Sequence, residues 1–333
     1  MVDQEVPDIF SANEQTFEDY ALRIFLYQYT NNDIYRSFCR ATHRGPHTVK
    51  SMKDIPFLPI AFFKTHPVVS GNFTPEVEFE SSGTSGSVNS IHKIKDSRLY
   101  RESFLRGFRR LYGAPSEYCI LGLLPSYLER QHSSLVYMVK ELIDLGEKKS
   151  SGFYLYNYKK LKSVLEENES RGQKSLLIGV TYALLDFAEE CSMKLRYSIV
   201  METGGMKGRR EEITRNQVHV KLRERLGLTD VHSEYGMTEL LSQAYSKAGG
   251  RFQTPPWMKV LVRSEDDPFQ LSLHPDVETT AKAGVINIID LANLHSCSFI
   301  ATDDIGILLP DGSFEVLGRL DNSDIRGCGL MIT

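Results

Sequence analysis

The sequence predicts an α/β fold with a largely parallel sheet, followed by a β-rich subdomain that closes the chain. Between residues 97 and 226, short apolar runs alternate with longer amphipathic segments, the pattern of strands that alternate with helices. From about residue 255 the runs become short and β-like, and Asp, Gly and Pro turns separate them. There is no internal repeat and no low-complexity linker. We therefore divide the chain into 1–255 and 256–333.

The first elements are two helices and a proline-rich connector. Apolar residues fall three or four apart over 14–29, which predicts an amphipathic helix, and a second short helix is expected over 34–40. The segment 55–67 contains three prolines among large apolar residues. Because proline interrupts a regular helix, we predict a buried, extended connector there.

The middle of the chain supplies the alternating strands and helices. The predicted helices cover 97–112, 133–145, the stretch from 181 to 191, and 211–226. Gly113 and Gly227 stand just past the first and the last of them, where glycine ends helices. The predicted strands cover 118–124, 175–180 and 197–201, and in the β-rich part 258–262, 284–291, 299–309 and 314–317.

Composition and charge exclude several classes of protein. The chain has 333 residues, 41% of them hydrophobic, which is enough for a buried core. The net charge of -4 argues against nucleic-acid binding, because the basic runs at 106–110 and 207–210 are short enough to be solvated faces. The acidic N-terminus lacks the features of a signal peptide, and no apolar run approaches the ~18–20 residues of a membrane span. These features predict a cytoplasmic protein.

Cysteine usage points the same way. The five cysteines are scattered, odd in number and form no CxxC pair: Cys39, Cys119, Cys191, Cys297 and Cys328. Such a pattern is typical of free thiols in a reducing compartment rather than of disulfides or a zinc site.

A Ser/Gly segment at 81–86 is the first candidate site. Glycines let the backbone approach an anion closely, and hydroxyls and free N–H groups can surround phosphate oxygens. The segment is not a Walker A loop, since no Lys follows Gly86. A Ser/Gly surface turn is the alternative interpretation.

Three further segments carry candidate chemistry. In EYGMTEL (234–240), an aromatic beside a glycine can stack on a base and Glu239 can bind a hard cation; the alternative is a helix entrance capped by Thr238. The acidic pair Asp303-Asp304 can hold a ribose diol, or can form an ordinary turn. Arg319 can bind a phosphate, or can form a surface salt bridge.

The order of these segments along one chain resembles the adenylate-forming superfamily of acyl- and aryl-CoA ligases, luciferases and peptide-synthetase adenylation domains. The resemblance covers roughly residues 56–333. Three further stretches are most similar to the acyl-protein synthetase (LuxE-like) branch: LPSYLER at 124–130, ETGGMKG at 202–208, and DIRGC at 324–328. Phenylacetate-CoA ligases are the next nearest relatives.

The resemblance implies the large N-terminal-type domain of adenylate-forming enzymes, a layered α/β subdomain plus a β-rich subdomain. It also implies ATP and Mg²⁺ as cofactors, and activation of a fatty or related acid to acyl-AMP. The phosphate-binding residues would be Ser81, Ser82, Gly83, Thr84, Ser85 and Gly86. The residues around adenine would be Gly204, Gly205, Tyr235 and Gly236, with Tyr235 stacked on the base.

The remaining implied roles concern the α-phosphate, the metal and the ribose. Thr238 and Glu239 would lie near the α-phosphate and Mg²⁺, with Glu239 as the metal ligand. Asp304 would bind the ribose, although Asp303 stands where the family usually has Gly, so that either Asp can make this contact. Arg319 would lie near the ribose or a phosphate.

The acyl acceptor implied by the resemblance is a cysteine near the C-terminus, which here is Cys328. Arg326 would lower the pKa of its thiol. The alternatives are a Gly-Cys-Gly turn without chemistry, and Cys297, beside His295, as a rival thiol. An acyl-acceptor protein (a reductase, transferase or carrier) is the partner expected beside the carboxylic acid substrate.

One departure from the superfamily concerns the small C-terminal domain and its catalytic Lys. The chain stops at Thr333, so we expect both to be absent, with Lys93, Lys207 or a partner's residue as a substitute. Two other functions stay open, a CoA ligase that needs a partner and a non-catalytic nucleotide-binding scaffold. His132 and His232 are expected to be structural. The sequence does not identify the acid, the final acceptor or the oligomeric state.

Overall fold

The computed structural model describes residues 6–81, 88–125, 132–205, 213–267, 269–272 and 282–320. The helices of this part are α1 (Phe17–Asn31), α2 (Asp33–Ala41), α3 (Phe62–Thr65), α4 (Ser97–Tyr112), α5 (Ser134–Gly146), α6 (Tyr158–Ser170), α7 (Thr181–Glu190) and α8 (Arg215–Leu226). The strands are β1 (Leu58–Pro59), β2 (Val77–Glu80), β3 (Ile91–Ile94), β4 (Cys119–Leu123), β5 (Gly152–Phe153), β6 (Ser175–Val180), β7 (Ser198–Thr203), β8 (His232–Tyr235), β9 (Ala244–Ser246), β10 (Met258–Arg263), β11 (Leu271–Ser272), β12 (Lys282–Asp290), β13 (Phe299–Leu308) and β14 (Phe314–Arg319).

The chain forms two compact units. The first comprises the described residues of Met1–Phe104, Gly236–Gln243 and Gln253–Leu320, and the second those of Leu105–Tyr235 and Ala244–Phe252. The division of the chain at residues 255 and 256 stays a prediction.

The second unit is built on the parallel sheet that the sequence predicts. Its strand order is β5-β4-β6-β7-β8-β9, and every pair is parallel except β8 with β9. Strands β4 and β6 are buried along their whole length, as expected for central strands of a parallel sheet. The carboxyl ends of parallel strands meet at one edge of a sheet, where ligands commonly bind in this architecture. Gly204 follows β7 at that edge, and Tyr235 ends β8 there.

Helix α8 shows how local sequence sets an element's limits. We predicted a helix over 211–226, but it begins at Arg215, because Thr214 is the N-cap. The Thr214 hydroxyl accepts a bond from the Gln217 N–H at 3.2 Å, and the Gln217 side chain accepts one from the Thr214 N–H at 2.8 Å. The helix ends, as predicted, at Gly227, whose φ of 64° lies in the left-handed region that favours glycine.

The first unit contains the β-rich sheet. Its order is β1-β13-β12-β10-β11, with β14 paired to β13. Strands β10, β12, β13 and β14 confirm the four runs predicted after residue 255. The interpretation of Asp303-Asp304 as an ordinary turn was wrong, because both residues lie inside β13. Antiparallel pairing then sets Asp304 opposite Arg319 of β14.

The prediction of an extended connector over 55–67 was partly wrong. Leu58 and Pro59 do extend, pairing in parallel with β13, but Phe62–Thr65 forms one helical turn. The turn fits between Pro59 and Pro67, so neither proline interrupts its hydrogen bonds. Leu58 and Phe63 are buried, whereas Lys64 and Thr65 are exposed.

A buried glutamine fixes the 293–298 segment against the first helix. Gln28 lies on α1, and its side chain donates to the Asn293 carbonyl at 3.0 Å and accepts from the Ser298 N–H at 2.9 Å. Tyr35 of α2 stacks on Phe299 with ring centroids 5.8 Å apart. These contacts fix the position of the 293–298 segment, whose Asn293 side chain bonds to the Glu239 carbonyl. Across the described ranges, no helix is long and apolar enough to cross a bilayer.

Candidate active site

The Ser/Gly segment joins the two strands of an antiparallel hairpin in the first unit. Strands β2 and β3 pair up to Glu80 and Ile91. Beyond that pair, the Ser81 N–H donates to the Ser90 carbonyl at 3.0 Å, and the Ser90 N–H donates to the Ser81 hydroxyl at 2.8 Å. The stem is therefore closed at Ser81. Ser82, Gly83, Thr84, Ser85 and Gly86 lie outside the described residues, and the phosphate-binding role of the whole segment stays a prediction.

The segment with Thr238 and Glu239 forms a turn, not a helix. The Leu240 N–H donates to the Met237 carbonyl at 3.1 Å, and residues 236–243 contain no helix. The alternative of a helix entrance capped by Thr238 was therefore wrong. Asp290 explains this path, because its carboxylate accepts from the N–H groups of Leu241 and Ser242 at 2.9 Å each. Those N–H groups consequently need no helical partner.

Glu239 places a buried carboxylate in the first unit. It is only 5% exposed. Burial raises the pKa of Glu239, while a hydrogen bond from the Ser90 hydroxyl and the positive charges of Arg319 and Lys64 act in the opposite direction. The main chain of Glu239 is held separately, since the Asn293 amide donates to its carbonyl at 2.7 Å. A carboxylate that is shielded from water in this way can bind a cation that enters the site together with a substrate.

Asp304 and Arg319, predicted separately, form an ion pair in the first unit. The Arg319 Nε donates to Asp304 Oδ1 at 2.7 Å. The alternative of a salt bridge for Arg319 is thus found in the structure, with a partner that is buried, since the Asp304 side chain is 7% exposed and that of Arg319 is 45% exposed. Asp303 instead offers its main-chain carbonyl to the Leu320 N–H at 2.9 Å. The ribose or phosphate contacts of Asp304 and Arg319 stay predictions.

The second unit carries Gly204, Gly205 and Tyr235, three of the four residues predicted to surround adenine, whereas Gly236 belongs to the first unit. Gly204 has a φ of 70°, which favours glycine, and its carbonyl accepts from the Thr181 hydroxyl at 3.0 Å. A Cβ at Gly205 would meet no described atom within 4 Å. Tyr235 is 8% exposed, and its ring centroid lies 5.8 Å from that of Phe252. The contacts of Gly204, Gly205, Tyr235 and Gly236 with a base stay predictions.

Two buried glutamates beside these residues lie in quoted motifs but were given no role from the sequence. Glu202 on β7 accepts from the Thr181 hydroxyl at 3.1 Å and from the Arg215 Nε at 3.3 Å. Although burial acts to raise its pKa, His219 and Arg215 hold the pKa of Glu202 below its usual value. Glu234 on β8 accepts from the Thr203 hydroxyl. The available signal was that each glutamate is the first residue of a segment already singled out, ETGGMKG and EYGMTEL.

Glu234 differs from Glu202 in its protonation. The pKa of Glu234 is raised to about 7. Burial is the largest cause and the charge of Glu202 acts in the same direction, whereas the hydrogen bond from Thr203 acts in the opposite direction. The carboxyl is therefore partly protonated near neutral pH. The same buried edge of the sheet thus holds one charged and one partly neutral carboxyl, shortly before Gly204 and Tyr235 in the chain.

We expect Glu234→Gln to flatten the pH dependence of stability. A folded-state pKa of about 7, above the ordinary 4.5, makes the folded protein bind more protons, so wild-type stability falls as pH rises from about 4.5 to 7. The glutamine side chain cannot ionise, and urea unfolding at pH 5.5 and 8 should show a smaller decline for the variant. Glu315→Gln, on β14, should keep the wild-type decline; an equal decline in both variants would contradict the assignment.

The described cysteines are poorly suited to act as nucleophiles, and His232 is poorly suited to act as an acid or a base. Among the described residues, Cys39, Cys119, Cys191 and Cys297 are free and buried. Burial raises the pKa of Cys297 far above its usual range, which disfavours the thiolate and hence its rival acceptor role. Burial lowers the pKa of His232 to about 4, and Tyr112 contacts its Nδ1 at 3.1 Å. His232 therefore fits the predicted structural role. Cys328 lies outside the described residues.

The described carboxylates fit a Mg²⁺ ion that is shared with a substrate. Within the described ranges, no group of three or more His, Cys, Asp or Glu side chains could hold a metal ion. Mg²⁺ is usually bound through one or two carboxylates together with substrate phosphates and water. Glu239 can supply one such carboxylate. Its metal contact stays a prediction.

Four more polar residues of the first unit escaped sequence reasoning. They contact the segment with Thr238 and Glu239, and they are Ser90, His92, Asp290 and Asn293. None belongs to a motif. Only tertiary pairing brings β3 and the 290–293 segment to this turn.

Similarity to solved structures concerns the fold. ATP-bound MatB from Rhodopseudomonas palustris matches 74% of this chain with a TM-score of 0.53 and 13% identity, and apo MatB from the same organism matches 73% with a TM-score of 0.50 and 14% identity. The chain spans about half the length of these proteins, 49% and 48% respectively. The fold of the adenylate-forming enzymes is thereby confirmed.

Similarity in sequence is more specific. A long-chain-fatty-acid–luciferin-component ligase from Vibrio harveyi is 24% identical over 351 residues, which cover 93% of this chain and 85% of the ligase. The family model described as acyl-protein synthetase, LuxE, matches residues 6–333. With this match, the chain belongs to the LuxE family of acyl-protein synthetases, and the acyl ligase class that the motif order predicted is confirmed.

Proposed function

We propose that this protein uses ATP to convert a long-chain fatty acid into acyl-AMP, and then transfers the acyl group to a protein thiol. The observation that carries the proposal is the turn at Thr238 and Glu239, which ties a buried carboxylate to the stem of the Ser/Gly hairpin in a member of the acyl-protein synthetase family. The fatty acid is suggested by the Vibrio harveyi relative.

The first step makes an unreactive carboxylate reactive. One oxygen of the acid attacks the α-phosphorus of ATP, the bond to the β-phosphate breaks, and pyrophosphate leaves with the electron pair. Rate enhancement in such a step depends on positioning and on neutralising phosphate charge. Arg319 is the described cation that we assign to this task, with Asp304 holding its orientation. Mg²⁺, where bound, supplies further charge neutralisation on the phosphate oxygens.

The remaining nucleotide contacts follow the family pattern. We assign the phosphates to Ser81–Gly86, the adenine to Gly204, Gly205 and Tyr235 beside Gly236, and the ribose to Asp304. The left-handed backbone at Gly204, where glycine is favoured, supports the adenine assignment.

The second step transfers the acyl group to sulfur. The thiolate of Cys328 attacks the acyl carbonyl, a thioester forms, and AMP leaves with the electrons of the broken anhydride bond. We expect an acceptor protein to take the acyl group from this thioester. The burial of Cys297 supports Cys328 over that thiol.

The test measures both steps in one preparation. We expect pyrophosphate release when the protein is incubated with ATP, Mg²⁺ and long-chain acids, together with a hydroxylamine-sensitive mass increase equal to one acyl group. Cys328→Ser should keep pyrophosphate release within about twofold, because adenylation precedes the thiol, and should lose the adduct. Cys297→Ala should keep both.

Other outcomes would contradict the proposal in distinct ways. Absence of pyrophosphate with every acid would favour a non-catalytic nucleotide-binding scaffold. Pyrophosphate release with a CoA thioester as product and no adduct would favour a CoA ligase. An adduct that persists in Cys328→Ser would move the acceptor to another residue.

A further inference from the structure

Two side chains from one strand connect the hairpin of the Ser/Gly segment to the segment with Thr238 and Glu239. Ser90, just before β3, donates its hydroxyl hydrogen to the Glu239 carboxylate. His92, two residues later, contacts the Thr238 carbonyl through Nδ1 at 2.8 Å. Side chains two residues apart on an extended strand point to the same face. One face of this strand therefore holds two consecutive residues of the turn.

The contacts of His92 fix its tautomer. A carbonyl oxygen only accepts hydrogen bonds, so Nδ1 carries the hydrogen and donates it to Thr238. Nε2 is then an acceptor, and the Ser296 hydroxyl donates to it at 2.8 Å. The ring is 1% exposed, and the ring of Phe63 packs edge-on with centroids 5.6 Å apart. Burial lowers the pKa of His92 to about 4, although the Thr238 bond acts to raise it, so the ring stays neutral in this arrangement.

The turn is held from a second direction as well. Asn293 donates to the Glu239 carbonyl at 2.7 Å, and the Ser296 N–H donates to the Asn293 carbonyl at 3.0 Å. Ser296 thus contacts His92 through its hydroxyl and Asn293 through its main chain. The carbonyls of Thr238 and Glu239 each receive a side-chain donor, so the two peptide groups on either side of Glu239 have little freedom to rotate.

We propose that His92 is a positioning residue for adenylation, which acts through the Thr238 carbonyl to hold the Glu239 carboxylate in register with the hairpin. The inference rests on the proposed function, since it assigns Glu239 to the nucleotide. His92 itself touches neither substrate nor metal in this role. Its neutral Nδ1–H, rather than its charge or bulk, is the group that matters.

Two conservative variants separate the ring nitrogens. His92→Asn keeps an N–H at the position of Nδ1, whereas His92→Gln keeps a polar group at the position of Nε2 and loses the donor to Thr238. We expect His92→Gln to lower kcat for pyrophosphate release about 10- to 100-fold, as misplacement of a catalytic group does, and to abolish the thermal shift caused by ATP with Mg²⁺. His92→Asn should stay within about threefold of wild type on the same geometric argument.

Stability and a matched variant exclude a merely structural role. Both variants replace a buried ring by an amide side chain that keeps one of the two hydrogen-bonding positions. Each should therefore lower the midpoint temperature of thermal unfolding to a similar extent. Glu78→Gln, at the exposed Glu78–Lys93 pair of the same hairpin, leaves the contacts of His92 in place and should keep kcat near wild type. The proposal therefore predicts similar losses of stability with a clear split in kcat.

The outcomes distinguish this proposal from the proposed function. Equal kcat in His92→Asn and His92→Gln, with an active wild type, would overturn the positioning role alone. A wild type that releases no pyrophosphate but shows an ATP-dependent thermal shift, lost only in His92→Gln, would contradict the ligase activity and support the positioning role. A wild type with neither signal would overturn both.

Discussion

Glu239→Gln is expected to lower pyrophosphate release about 100- to 1000-fold, the loss typical of removing a group that stabilises transition-state charge. The amide oxygen of the new side chain can still accept the bond from Ser90, so the turn should keep its shape. The amide cannot supply the negative charge that a cation on the ATP phosphates requires. Release of pyrophosphate at saturating ATP and acid, over a range of Mg²⁺ concentrations, is the measurement.

The free energy of unfolding of Glu239→Gln should be unchanged or higher than that of the wild type, although its activity falls. Because burial raises the pKa of Glu239, its ionised form is disfavoured in the folded state, and the wild type loses stability as pH rises above the ordinary carboxyl pKa. The uncharged amide removes that loss. At pH 8 the free energy of unfolding of the variant should therefore equal or exceed that of the wild type, which separates a catalytic defect from a folding defect.

A surface glutamate on the same hairpin provides the matched control. Glu78 on β2 lies 3.7 Å from Lys93, and its side chain is 42% exposed. Exposed pairs of this kind contribute about 0–1 kcal/mol, so Glu78→Gln should change neither activity nor stability appreciably. An equal loss of activity in Glu78→Gln and Glu239→Gln would contradict the assignment of Glu239 to the nucleotide.

The sequence predicted elements well where periodicity and local stop signals agree. The strand at 175–180 and the helix at 97–112 match the structure residue for residue, because the first is a short apolar run and the second is amphipathic and followed by glycine. The start of α8 was missed because a capping box at Thr214 competes with the apolar period. In that helix the cap, not the periodicity, sets the boundary.

The sequence could predict the residues of the candidate site that belong to motifs, but not the contacts between them or the residues that other elements contribute. Asp304 and Arg319 each belong to a recognisable segment, yet their ion pair depends on the antiparallel register of β13 and β14. Asp290, Asn293 and His92 belong to no motif, and they reach the turn only through long-range pairing. Two alternatives that the short segments favour by themselves were wrong for the same reason. Bonds to Asp290 replaced the helix capped by Thr238, and pairing within the sheet placed Asp303 and Asp304 in β13 instead of a turn.

Loss of the Asp290 side chain should destabilise the protein strongly. Its carboxylate is fully buried and accepts four hydrogen bonds: Leu241 N–H at 2.9 Å, Ser242 N–H at 2.9 Å, Ser242 hydroxyl at 2.6 Å and Ala292 N–H at 3.0 Å. Ser242 is linked onward, since the Trp257 indole donates to its hydroxyl at 3.0 Å. One side chain thus satisfies both the turn after Glu239 and the start of the 290–293 segment.

Asp290→Ala is expected to lower the free energy of unfolding by about 4 kcal/mol, because several buried donors lose their acceptor at once. Asp290→Asn keeps one acceptor oxygen and should lose about half as much by the same argument. Urea unfolding measures both. Asp311→Ala is the control, because Asp311 accepts a turn bond from the Ser313 N–H at 3.0 Å at an exposed position, and its loss should be about 1 kcal/mol or less.

The stability difference between wild type and Asp290→Asn should also depend on pH, in a direction that the pKa of Asp290 sets. Burial raises the pKa of Asp290 to about 6 against the four bonds that lower it, so the folded state favours the protonated form. The wild type therefore loses part of its advantage as pH rises from about 4 to 6, and the gap between wild type and Asp290→Asn should be wider at pH 4.5 than at pH 7.5. A gap that widens with pH would mean that the ionised carboxylate is the stabilising form. The four donors would then outweigh the burial of charge, and Asp290 would hold the Glu239 turn through a buried anion.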